Sequence, residues 1–293
     1  MKRKTLLLLS LLGLLVVGSL LLARSLSPAA RRAFDGRRAY ADVIYQVNLG
    51  PRVPGSPAHA QAIAWIRSEL ERAGWQVSIQ ESEWNGQPVH NLLARRSDEP
   101  PALLLGAHYD SRPLADRDPG PESGLPVPGA NDGASGVAVL LELARSLPAD
   151  TVPVWLVFFD AEDGGGLPGG DWIAGSRAFA ASLTAAPQAV VIVDMVGDAD
   201  LNLYYEHNSH PALRAEIWAQ AAALGYGQQF IAEVKYSMLD DHTPFLELGL
   251  PTVLIIDFDY PYWHTRADTA DKVSAESLQA VGDTLWHWIV SQR

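Results

Sequence analysis

The chain has 293 residues, 48% hydrophobic and 19% charged, a balance that suits a packed globular protein and excludes an intrinsically disordered one. A formal net charge of −12 argues against nucleic acid as a partner. The lack of cysteine excludes disulfides, thiolate metal ligands and a cysteine nucleophile, but not export, because a core of this size needs no covalent staples.

Lys2, Arg3 and Lys4 precede a run from Thr5 to Ala23 made almost entirely of Leu, Val, Gly and Ser. Its length is close to the ~20 residues that cross a bilayer. Residues 1–24 are therefore expected to be a signal anchor or a cleaved signal peptide. Residues 25–293 would then be one catalytic domain, either anchored on the outer face of the cytoplasmic membrane or secreted, with membrane contact through the N-terminal segment only. Ser27-Pro28 reads as a cap and first-turn proline opening a helix to about Gln46. A rigid loop at Gly50–Pro57 leads to a second helix over about Ala58–Ala73, with Ile63, Ile66 and Leu70 at helical spacing and Gly74 as its stop.

From there, strand-like runs and helices alternate. Strands are expected at Val77–Ser82, His90–Ala94, Ala102–Gly106, Val152–Phe159, Ala189–Val193, Leu201–Tyr205 and Thr252–Ile256. Helices are expected at Ala134–Ser146, Trp172–Ser182, Pro211–Leu224 and Ser274–Ser291. Several strands are unbroken apolar runs, as when helices cover both faces of a sheet. The pattern predicts an α/β protein, a three-layer α/β/α sandwich with a mixed, mostly parallel central sheet. Residues 111–130, rich in Pro, Gly and Asp, read as a long surface loop.

Polar residues gather where the apolar runs end. Leu103-Leu104-Leu105 leads to His108-Tyr109-Asp110, Val157-Phe158-Phe159 to Asp160-Ala161-Glu162-Asp163, and Val190–Val193 to Asp194. Val253–Ile256 leads to Asp257 and then Trp263-His264, while Asn131-Asp132-Gly133 stands just before a helix. In open α/β sheets ligands bind at that carboxyl edge. Imidazoles and carboxylates converging there suit a divalent ion with nitrogen and oxygen ligands. Taken alone, a carboxylate at a strand end is usually a turn former or helix cap, so the case rests on five groups, His108, Asp132, Asp163, Asp194 and His264, sharing one edge. His59, His90, His207, His210 and His287 carry that plainer reading, and Asp116, Asp118 and Asp171 read as loop residues. No G-x-S-x-G elbow is present, and Gly164–Gly170 lacks the Lys-Ser/Thr ending of a phosphate loop, so it reads as a flexible active-site loop.

In order along the chain stand Arg52-Val53-Pro54-Gly55-Ser56-Pro57, Gly106-Ala107-His108-Tyr109-Asp110-Ser111, Gly129–Gly136 and Phe158-Phe159-Asp160-Ala161-Glu162-Asp163. Gly175-Ser176-Arg177, Asp240-Asp241-His242-Thr243-Pro244-Phe245 and Trp263-His264-Thr265 complete the series. Together they resemble metallopeptidase family 28, the co-catalytic zinc aminopeptidases, which also contains the animal-type glutaminyl-peptide cyclotransferases. The resemblance implies zinc held by Asp132, Asp163 and His264, and a second zinc in the aminopeptidases held by His108 and Asp194, with Asp132 bridging. It implies Glu162 as general base, Asp240 and Asp194 as catalytic partners, and a cis peptide bond after Asp132. Trp263, Tyr260 and Leu239 match substrate-lining positions.

Phe-Phe-Asp before the Glu-Asp pair, the doubled Asp240-Asp241 and Trp263 resemble the cyclases. Against this, Asp163 stands where cyclases usually carry Glu, Leu254 where animal cyclases commonly have His, and Leu239 where a Gln lines the substrate. The resemblance therefore implies an acyltransferase that converts N-terminal Gln to pyroglutamate with one zinc, or else an aminopeptidase with two. A third class is an inactive receptor-like binding module, which would be expected to have lost the base or several ligands. The expected partners are peptides or proteins with a free N-terminus; oligomeric state is left open.

Overall fold

The structure, a computed structural model, describes residues 34–292. The apolar run expected to act as signal or anchor lies outside the described residues, as does Ser27-Pro28. Among the described residues no helix is long and apolar enough to cross a membrane. The first described helix, α1 (Gly36–Asn48), is capped by Asp35, whose carboxylate accepts from the backbone N–H of Arg37 and Arg38. The start expected at Ser27-Pro28 is thereby corrected to Asp35. In α2 (Pro57–Arg72), Ser56 caps the helix by accepting from His59 N, and Pro57 fills the first turn.

A hairpin follows, β1 (Gln76–Trp84) and β2 (Gln87–Arg95), turning at Asn85-Gly86 with φ of 49° and 83°. Both residues sit in the left-handed region that a tight hairpin turn requires, which Asn and Gly tolerate best. The chain then alternates through β3 (Leu103–His108), α3 (Ala134–Ser146), β4 (Val154–Phe159), α4 (Ala174–Ser182) and β5 (Ala189–Asp194). It continues through β6 (Leu203–Glu206), α5 (Pro211–Ala223), β7 (Phe230–Tyr236), α6 (Thr243–Glu247), β8 (Thr252–Ile256) and α7 (Ala275–Ser291).

Six strands form one sheet in the order β1-β2-β4-β3-β5-β8; β4, β3, β5 and β8 run parallel, and the hairpin strands are antiparallel. Side chains alternate between faces with period two. Leu103, Leu105, Ala107, Val191, Val193, Val253 and Ile255 share one core with α1, α3 and α7. Leu104, Val157, Phe159, Val190, Ile192, Leu254 and Ile256 share another with Phe179 of α4 and Phe245 of α6. Helices on both faces explain why these strands read as continuous apolar runs. The expected three-layer sandwich is the one observed.

Two expectations need correction. β7 was not foreseen as a strand; it pairs only with β6, and most of its side chains are exposed, so Phe230–Tyr236 lacks the apolar signature of a core strand. Residues 111–130 are not simply a surface loop. Ser111, Arg112, Ala115, Val127 and Ala130 are buried. The fully buried Arg52 guanidinium donates to the carbonyls of Tyr109 (3.0 Å), Pro128 (3.0 Å) and Gly129 (2.6 Å), pinning both ends of the segment inside the molecule.

Candidate active site

The crossover from β4 through α4 to β5 steps back over β3, so the strand order reverses at β3 and opens a crevice at the carboxyl edge. Register pairs Gly106 with Ile192, which carries His108 and Asp194 to the same level two residues further on. His108 Nε2 lies 3.1 Å from Asp194 Oδ1 and 3.1 Å from Asp132 Oδ1. Asp132 enters from the amino end of α3, with a cis peptide bond to Gly133. The turn after β4 supplies Glu162 and Asp163, and His264 Nε2 lies 3.1 Å from Asp163 Oδ1 and 3.9 Å from Asp132 Oδ2.

Local backbone and buried hydrogen bonds hold these groups. Ala161, Met195 and His264 adopt left-handed φ of 52°, 45° and 58°, conformations that L-residues take at a cost and that concentrate at functional sites. Asp110 accepts from the backbone N–H of Glu162 (3.1 Å) and Asp163 (3.2 Å) and faces His108 Nδ1 at 3.3 Å. Asp268 accepts from Asn131 N (2.8 Å), Asp132 N (3.2 Å) and the Tyr260 hydroxyl (2.6 Å). At Gly175 an added Cβ would fall 2.1 Å from Asp160 O, so the Glu162 turn can close onto α4 only over a glycine.

Glu162, Asp132, Asp163, Asp194, Asp240 and Asp241 are all buried around this point, with His108 and His264 among them and the buried His242 next to Asp241. So many carboxylates cannot all ionise without protons or a cation. Burial pushes Asp163 up to about 6, Asp240 to about 7 and Asp241 to about 8, with neighbouring carboxylates adding to the shift. Glu162 is pushed well above the usual range by burial and by Asp163, Asp241 and Asp240, against the opposing pull of His108. Asp132 is held below it, because the hydrogen bond and charge of His108 and the charge of His264 outweigh its burial.

The residues fit a divalent ion. His108, Asp132 and Asp194 form one group whose donor atoms lie within 4.8 Å of one another, and Asp132, Asp163 and His264 form another. Asp132 is shared by both. Asp163 Oδ2 is buried without a hydrogen-bond partner, an orphan that a cation would satisfy. Both histidines have a carboxylate 3.3 Å from their other nitrogen, Asp110 for His108 and Asp116 for His264; the first is a hydrogen bond of the kind that orients metal-bound imidazoles, whereas His264 Nδ1 is buried without a hydrogen-bond partner. Beside these donors lies a cavity of about 210 Å³, lined by Glu162, Asp194 and Asp240 on its polar side and by Trp172, Met238, Phe258 and Trp263 on its apolar side.

The structure thus brings together His108, Asp132, Glu162, Asp163, Asp194, Asp240, Trp263 and His264. Leu239 stands on the cavity wall, half exposed. Tyr260 does not line the cavity; it is buried behind it, with its hydroxyl on Asp268. Asp116 is more than a loop residue, since it pairs with Arg112 as well as facing His264. His59 is not idle either: buried, it places Nε2 2.7 Å from Asp160 Oδ1 under the Glu162 turn. His210 caps α5 and His287 bonds Asp283 O, in keeping with the plainer reading.

Sequence reasoning missed Arg112, Asp110, Asp268 and Glu206. Asp110, two residues beyond His108, had a positional signal; the others converge only through tertiary contact. Glu206, at the end of β6, accepts from Asn208 N, Ser209 N, the Ser209 hydroxyl and Met238 N, and its Oε2 lies 3.4 Å from His242 Nε2. Burial would raise it, but the hydrogen bonds of His242 and of the backbone hold it at about 2. Its contribution to stability is therefore complete above the ordinary carboxylate range and fades as pH falls toward about 2. Glu206→Ala is expected to lower stability by roughly 3 kcal/mol by orphaning these donors. It should also raise KM, since Met238 leads into the cavity wall; chemical denaturation and steady-state kinetics check the two effects.

Comparison with known proteins agrees with this geometry. Residues 89–289 match peptidase family M28. A glutaminyl-peptide cyclotransferase-like protein of Bos taurus is 30% identical over 263 residues, covering 74% of this chain and 66% of the relative. The crystal structure of Tannerella forsythia glutaminyl cyclase superposes with a TM-score of 0.83 at 34% identity, covering 89% of this chain and 100% of that one. A Zn-dependent exopeptidase from Parabacteroides distasonis superposes equally well, with a TM-score of 0.85 at 32% identity over 90% of this chain and 100% of that one.

Proposed function

The chain belongs to peptidase family M28, and on that premise we propose that it is a zinc-dependent glutaminyl-peptide cyclotransferase, converting N-terminal Gln to pyroglutamate and ammonia. The observation that carries this reading is the small, half-open cavity in which Glu162 and Asp240 face an aromatic and methionine wall beside the Asp132, Asp163 and His264 group. A small space with one apolar side suits a single folded-back residue better than an extended chain.

When bound by Asp132, Asp163 and His264, zinc would supply Lewis-acid polarisation of the substrate γ-carbonyl. Trp263 and Phe258 wall the substrate side chain and keep bulk water away. The α-amino nitrogen attacks its own side-chain carbonyl carbon, and Glu162 takes the proton that nitrogen loses. Asp240 and Asp194 orient the amine and Glu162. The bond to the amide nitrogen then breaks, Glu162 returns the proton to it, and ammonia leaves; no water is consumed. Residues 1–24 serve in this reading as signal anchor or signal peptide, and residues 25–293 act on peptides outside the cytoplasm.

One observation favours a second reading, a co-catalytic zinc aminopeptidase: His108, Asp132 and Asp194 form a complete second donor group. Incubating the protein with a Gln-initiated peptide separates the two by mass spectrometry. Loss of one ammonia without chain shortening supports the cyclase; release of free amino acids overturns it. About one zinc per chain accompanies the first outcome, and two the second.

A further inference from the structure

We propose that Arg112 and Asp116 form an outer clamp that sets the zinc affinity of the Asp132, Asp163 and His264 group, a role resting on the zinc-enzyme reading above. The buried Arg112 guanidinium forks onto Asp116, Nε to Oδ1 at 2.8 Å and Nη2 to Oδ2 at 2.9 Å. Its remaining nitrogen, Nη1, donates at 3.1 Å to Asp163 Oδ1, to the Asp163 carbonyl and to the Gly165 carbonyl. The same Asp116 Oδ1 lies 3.3 Å from His264 Nδ1. Arg112 also sits 4.9 Å from the Trp172 ring centre, and Trp172 stacks near-parallel with His264 at 6.0 Å. One side chain thus touches Asp163 directly and reaches His264 by two routes.

Each contact has a consequence for a cation. Oδ1 of Asp163 is shared between Arg112 and His264 Nε2, each at 3.1 Å, while Oδ2 is buried without a hydrogen-bond partner and free to meet a cation. Asp116 brings its negative charge 3.3 Å from His264 Nδ1, which itself makes no hydrogen bond, so its influence on Nε2, the nitrogen that faces Asp163 and Asp132, is electrostatic and favours a cation there. Asp116 also neutralises Arg112, whose charge would otherwise oppose zinc at close range. Only a planar guanidinium spans both carboxylates and the two carbonyls together; a lysine ammonium would not. Asp116 itself is partly exposed, so its substitution tests the clamp without opening the core.

Zinc affinity is measured by competition with a chromophoric chelator at fixed pH for the wild type, Asp116→Asn, Asp116→Glu and the remote Asp98→Asn. Asp116→Asn is expected to bind zinc 10–100-fold more weakly, the range for losing an outer-sphere carboxylate partner. Asp116→Glu should recover part of the loss, and Asp98→Asn, on an exposed side chain paired with Arg95, should match the wild type. In the zinc-loaded wild type, the imidazole ¹⁵N signals of His264 should report a proton on Nδ1. Equal affinity of Asp116→Asn and wild type overturns the clamp, as does a His264 proton on Nε2. A wild type that binds no zinc overturns both the clamp and the zinc-enzyme reading. A weakened Asp116→Asn in a protein that releases free amino acids upholds the clamp and sinks only the cyclase.

Discussion

Glu162→Gln is expected to lower kcat for pyroglutamate formation by about 10²–10⁴-fold, the usual contribution of a positioned general base. Zinc content should stay near that of the wild type, because Glu162 belongs to neither donor group. Stability should not fall. Glu162 is buried beside Asp163, Asp240 and Asp241, and a neutral amide of the same shape relieves that crowding of negative charge. Steady-state kinetics, zinc analysis and thermal unfolding on one preparation test all three parts. A variant that keeps more than about a tenth of the wild-type rate would show that another group carries the proton.

Asp132→Asn should have the wider consequence, because Asp132 is the residue common to both donor groups. Zinc affinity is expected to drop by more than the ~100-fold upper range for an outer-sphere partner, and activity with it. His108→Ala should disturb only the group it shares with Asp194. An enzyme needing one zinc would keep most of its bound metal after that change, whereas one needing two would lose half.

The same substitution reads out in stability. Zinc at 100 times its dissociation constant adds about 2.7 kcal/mol to a protein that binds it only when folded. The wild type should therefore lose thermal stability on chelation, and Asp132→Asn should show no such loss. If chelation leaves the wild type unmoved while Asp132→Asn still unfolds early, the carboxylate serves packing rather than metal.

Much of this protein is local and hence legible along the chain. The boundaries of β8 and α3 follow from unbroken apolar runs and helical spacing; the Asp35 and Ser56 caps are equally local, formed with neighbours two or three residues away, although the sequence pattern points to Ser27 for the first and leaves Ser56 in a loop. His108, Asp132, Glu162, Asp163, Asp194 and His264 stand at segment ends, where a parallel sheet carries its polar residues to one edge. β7 escaped because an exposed strand beside a single partner has no apolar signature to read.

What the sequence determined by itself was which residues reach the carboxyl edge, since strand ends and helix starts depend on neighbours a few positions apart. Which of them meet was decided by tertiary structure: the pairing of β3 with β5 sets His108 against Asp194, and folding of the 111–130 segment inward sets Asp116 against His264. The same holds for Tyr260, withdrawn behind the cavity onto Asp268, and for Arg112, drawn between Asp163 and Asp116. Most of those contacts join residues far apart in the chain, and even the near pairs Tyr260–Asp268 and Arg112–Asp116 form because buried polar groups must find partners where the fold places them, so no local pattern records the choice.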